Sequence, residues 1–206
     1  MKKTEQEKNF ERVLPEGYRL AVHLDAKSVK LGVIMNLAAL VLAAVVMALA
    51  VFAFVLLGGA RERISVPPLI ALSVFCVGEL GYMVLHELTH GFVYKHTTGE
   101  KLTFGMSWSC AFCGVPNIYV YRKTAIRACA APLVVFSAIF LLLTVVSYCL
   151  SPILYFVFAL LLALHLGGCS GDIYGLLLLA KHKDARVLMR DTGPEQFLYV
   201  PDGEEK

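Results

Sequence analysis

Residues 83–92, MVLHELTHGF, place His86, Glu87 and His90 inside an otherwise apolar run. On a helix His86 and His90 stand one turn apart on one face, so both imidazoles can close on a single cation. Glu87 follows the first of them directly. In the HExxH arrangement two neutral imidazoles bind Zn2+, and the adjacent carboxylate acts as general base on a water at the metal's open position. Zinc brings the pKa of that water to about 7. The competing reading is a pair of helix histidines satisfied by their neighbours. An apolar setting favours the metal, because an ionisable residue in a membrane helix costs about 2.5–3.5 kcal/mol on insertion scales and is retained for function.

Two histidines and a water leave zinc one protein ligand short. The stretch 167–174, GGCSGDIY, offers Asp172 as the third. Gly167, Gly168 and Gly171 beside it would let helices approach closely or let the helix bend. Counted back from the expected cytoplasmic helix ends at 96 and 180, His90 and Asp172 fall at similar depth, about 9 and 12 Å at 1.5 Å per residue. Glu79 lies seven residues before His86 and His165 seven before Asp172, two turns away on the same helix faces. Those two either pair with each other or support the ligands from behind, possibilities that position alone leaves open. His96 ranks below Asp172 as a ligand because it falls past the membrane end. Cys110 and Cys113 form a single CxxC with no second pair and no nearby histidine, which reads as reduced loop thiols.

Long apolar elements must carry these side chains. The chain has 206 residues, 58% hydrophobic and 17% charged, against about 25% charged in an ordinary soluble domain. Residues 31–57 and 128–150 contain no charge at all, and each exceeds the ~20 apolar residues that cross a bilayer. Four spans are expected, at 31–57, 69–96, 128–150 and 153–180, the last two joined only by Ser151 and Pro152. Between the second and third lies LTFGMSWSCAFCGVPNIYVYRKTAIR, whose β-formers around Gly114, Pro116 and Asn117 suggest a short hairpin or loop at the membrane surface. The expected fold is therefore an all-α polytopic membrane protein with about four transmembrane helices and that hairpin between helices 2 and 3. Residues 1–30 are expected to form a soluble arm, 31–180 one membrane-embedded domain and 181–206 a tail. The arm holds seven Lys/Arg and five Asp/Glu, unlike a cleaved signal peptide. Lys and Arg concentrate in the arm, in the loop after span 2 and in the tail, with Arg61 and Arg63 opposite, so the positive-inside rule puts both termini in the cytoplasm. A net charge of +3 gives no basis for nucleic-acid binding.

LPEGYRLAVHLDAKSVK, HELTHG, YVYRKTAIRACAAPL and SGDIY together resemble a group of small bacterial membrane proteins classed as zincin peptidases, similar in layout to site-2-type intramembrane metalloproteases. The resemblance covers roughly residues 14–180. It implies a multi-pass protein of the bacterial cell membrane with His86, His90 and Asp172 as zinc ligands and Glu87 as catalytic base. SGD stands where site-2 enzymes typically carry an aspartate followed by glycine. For proteolysis a substrate helix must unwind, and the loop between spans 2 and 3 offers a strand edge for an extended membrane protein or peptide substrate, with Asn117 placed to contact it. The same residues also suit a non-catalytic zinc-binding scaffold that recognises partners in the bilayer. A transporter built on Glu79 and His165 is the weaker reading, since no repeated halves are visible.

Overall fold

A computed structural model describes residues 9–59, 62–106 and 111–203. Cys110 and Arg61, used above in the CxxC and orientation arguments, lie outside the described residues, as do residues 1–8 of the arm and 204–206 of the tail. The all-α expectation is overturned: the described residues form five helices and seven strands. The hairpin between the second and third helices is present, but most of the strands lie elsewhere. The chain divides into two compact units.

The first unit draws on Met1–Gly32, Glu87–Ala131 and Ile173–Lys206. Its antiparallel sheet comprises β1 (Phe10–Glu11), β2 (Tyr18–Asp25), β5 (Tyr119–Tyr121), β6 (Leu188–Asp191) and β7 (Glu195–Pro201), in the order β1-β5-β6-β7-β2. The longest pairing joins the two ends of the chain, with Tyr18 opposite Pro201 and Asp25 opposite Glu195. Short strands of this kind bury no face by themselves, so their existence depends on partners distant in sequence. The one local signal is the turn Asp191-Thr192-Gly193-Pro194 joining β6 to β7. Gly193 takes φ +98°, and its N–H donates to Asp191 Oδ1 at 2.9 Å. Val120, Met189, Leu198 and Val200 of the sheet form one buried core with Tyr94, Ile118, Ala125, Ala128 and Leu179. A separate hairpin pairs β3 (Thr103–Met106) with β4 (Ala111–Gly114).

The second unit takes Val33–His86 and Pro132–Asp172 and is helical. The helices of the chain are α1 (Val29–Leu56), α2 (Pro68–Thr98), α3 (Arg122–Tyr148), α4 (Pro152–Gly168) and α5 (Ser170–Lys181). Three are long and apolar enough to cross a membrane, or four if α4 and α5 make one span bent by 45°. The break at Cys169 falls inside the glycine-rich stretch, where low helix propensity makes a bend cheap. Helix α1 is apolar all round, with large side chains such as Leu37, Leu40 and Phe52 exposed, which suits a lipid solvent. It approaches α4 closely: a Cβ on Gly167 would stand 2.6 Å from the Ala39 carbonyl oxygen, and Tyr155 Oη donates to the Ala50 carbonyl at 2.7 Å. Tyr82, Phe136, Phe140 and Leu161 form the buried aromatic cluster.

Candidate metal centre

Helix α2 carries Tyr82, His86, His90 and Tyr94 at four-residue intervals, a single stripe. Both tyrosines are buried and anchor the stripe. Tyr94 Oη donates to Asp191 Oδ2 at 2.8 Å, and Tyr82 lies edge-on to Phe136, Phe140 and His165. The glycine of HELTHG has a packing reason. A Cβ on Gly91 would meet Phe104 Cζ at 2.8 Å and Cys113 Sγ at 3.3 Å, so the β3–β4 hairpin lies against α2 immediately after His90.

His86 is buried, 8% exposed. Its Nε2 lies 3.2 Å from Asp172 Oδ2, and its Nδ1 is hydrogen-bonded to Tyr82 Oη at 3.0 Å. Asp172 occupies the first turn of α5, where the positive end of the helix dipole favours a carboxylate. The bend at Cys169 creates that helix start. His90 Nδ1–H donates to the Ala128 carbonyl at 2.9 Å. Because a carbonyl only accepts, Nδ1 carries the hydrogen and Nε2 keeps its lone pair. His86, His90 and Asp172 each offer one ligand atom, all within 4.8 Å of one another. Two imidazoles, one already held by a backbone carbonyl through its outer nitrogen, and a carboxylate form a donor set that fits zinc with a position left for a reactant.

A second set within the same limit, His86, His165 and Cys169, is organised differently. Tyr82 Oη bonds to Nδ1 of both histidines, at 3.0 Å to His86 and 2.8 Å to His165, so a phenol holds the position between them. His165 Nε2 bonds to Ser137 Oγ at 3.1 Å, and Cys169 Sγ lies 3.6 Å from His165 Nδ1. His165 therefore stands behind His86, linked through Tyr82. It does not pair with Glu79, whose Oε2 is buried without a hydrogen-bond partner.

Glu87, partly buried, follows His86 on α2. Burial, then the charges of Asp191 and Glu87, push the Cys113 thiol up to about 12, so it stays protonated. Asn117 is exposed in the turn between β4 and β5. Tyr82, Ser137 and the Ala128 carbonyl were not legible as site residues. The signal available for Tyr82 is the four-residue spacing that it shares with His86 and His90.

The sequence model of one family, described as "Putative zincin peptidase", matches residues 79–187, just over half of the chain and all the residues of this centre from Glu79 to Asp172. No curated protein matches, and no solved structure does.

Proposed function

The chain belongs to that zincin peptidase family, and from this premise we propose that it is a membrane-embedded zinc peptidase cutting substrates at or near the cytoplasmic side of the bilayer, in the manner of site-2-type enzymes. The observation that carries the reading is the pairing of His86 Nε2 with Asp172 Oδ2 at 3.2 Å, with His90 held through Nδ1 by the Ala128 carbonyl. Three apolar helices long enough to span support the membrane setting. The Lys and Arg distribution supports cytoplasmic termini.

His86, His90 and Asp172 would hold the ion. When bound, zinc supplies Lewis-acid charge and makes a water acidic near neutral pH. Glu87 takes the proton of the attacking water and delivers it to the leaving amine, the general base then acting as general acid. Strands β3 and β4 pair only with each other among the described residues. An extended substrate segment adds to that hairpin beside His90, with Asn117 at the adjoining turn as a contact to the substrate.

The test is cleavage of a membrane-protein substrate panel by purified protein with metal analysis alongside. Glu87→Gln should retain about one zinc per chain while cleavage falls about 10²- to 10⁴-fold. His86→Ala and His90→Ala should lose the zinc. Zinc retained in wild type, with equal turnover in Glu87→Gln, would favour a zinc-binding scaffold over an enzyme.

A further inference from the structure

Pro132 is the eleventh residue of α3, and its side chain is fully buried. A proline in a helix interior normally costs about 3 kcal/mol, because it lacks the N–H that would bond to the carbonyl four residues earlier and its ring pushes that carbonyl aside. Four residues before Pro132 is Ala128. Its carbonyl oxygen is the atom that accepts the hydrogen bond from His90 Nδ1, at 2.9 Å. The helix is broken at one rung, and the freed acceptor is the one a candidate metal ligand uses.

We propose that Pro132 is a positioning residue for the metal centre: by withholding an amide hydrogen from Ala128, it reserves that carbonyl for His90 Nδ1–H and so fixes Nε2 as the metal-binding atom. The inference rests on the zinc-peptidase reading above and deepens it. With any other residue at 132 the helix would supply its own donor to Ala128, aligned along the helix axis. His90 would then share its acceptor, and its ring would be free to take the other tautomer or to turn. Outer-sphere partners of this kind govern metal affinity by about 10- to 100-fold. The device also gives a physical account of the proline in YVYRKTAIRACAAPL, which the run of alanines before it would otherwise make an unbroken helix.

The test compares two full-length proteins in detergent that share a methyl side chain at 132. One is Pro132→Ala, which restores the amide hydrogen. The other carries lactic acid at 132, whose ester linkage has no hydrogen to donate. Zinc affinity is read by chelator competition, and the His90 ring tautomer in zinc-free protein by nitrogen-15 resonances. Pro132→Ala should bind zinc about 10-fold or more weakly without a lower thermal midpoint, and should lose the single Nδ1–H state of His90. The ester should restore both towards wild type. Equal zinc affinity in Pro132→Ala and wild type overturns the proposal, and so does a zinc-free wild type whose His90 carries its hydrogen on Nε2. The second measurement needs no variant to fold and no zinc to bind. Absence of zinc from a wild type with the expected His90 tautomer would overturn the metal-centre role through the failure of the peptidase reading, with the hydrogen-bond arrangement left intact.

Discussion

Single side chains in this protein act through what holds them from behind. Tyr82 is the clearest case, since its hydroxyl joins His86 Nδ1 to His165 Nδ1. Tyr82→Phe keeps the ring among Phe136 and Phe140 and removes only the hydroxyl, so folding should survive while zinc affinity, read by chelator competition, falls about 10-fold. Cys113 gives a contrasting expectation. Its raised pKa makes the thiol a poor nucleophile, and peptide mapping after iodoacetamide at about pH 8 should find it unmodified in folded protein and labelled after unfolding. The sign of its pH effect follows. The folded value of about 12 exceeds the ordinary 9.0, so the thiol's contribution to stability is complete below pH 9.0 and is lost as pH rises towards 12. At this scale His86, Glu87, His90 and Asp172 were legible because ionisable groups in apolar runs are conspicuous. Tyr82 and Pro132 were not, because tyrosine fits a core and a proline reads as a helix start until the helix is known to begin at Arg122.

At the scale of elements, close approaches set the fold's tolerances. A Cβ on Gly114 would stand 2.2 Å from the Gly193 backbone nitrogen, so β4 and the β6–β7 turn touch through main chain that has no room to give. Gly114→Ala should cost about 3 kcal/mol, measured by denaturant unfolding in micelles. Gly167→Ala meets a backbone oxygen of α1 and should likewise lower the thermal midpoint, whereas Gly171→Ala, with nothing within 4 Å, should leave it nearly unchanged. Of Gly167, Gly168 and Gly171, it is Gly167 that makes the close helix approach expected of them, and it faces α1. Helices were legible from runs of apolar residues, and most of their ends moved by one or two positions, with α3 starting six residues earlier than expected. The bend at Cys169 was foreseen as one of two roles for the glycines, and both occur.

For the whole molecule the testable quantities are membrane partition and metal content. Helix α1 buries none of its most apolar eighteen residues, so the protein should stay with membranes through alkaline carbonate and leave only with detergent. Removing zinc with a chelator should abolish cleavage and lower the thermal midpoint, since an ion that binds only the folded state stabilises by RT ln(1 + [L]/Kd), about 2.7 kcal/mol at a hundredfold excess over Kd. Restoring zinc should reverse both.

Composition and spacing by themselves determined that this chain has membrane-length helices and that one of them carries a pair of imidazoles with a carboxylate, because apolar runs and i,i+4 spacing are properties of local sequence. Only the tertiary structure decided that the two chain ends form one sheet, since β2 and β7 find each other across nearly the full length of the chain and neither is stable alone. It also decided which hydrogen bonds orient the ligands. A side chain's partner is fixed by packing in space, and the Ala128 carbonyl became available to His90 only where a proline interrupted the helix that would have claimed it.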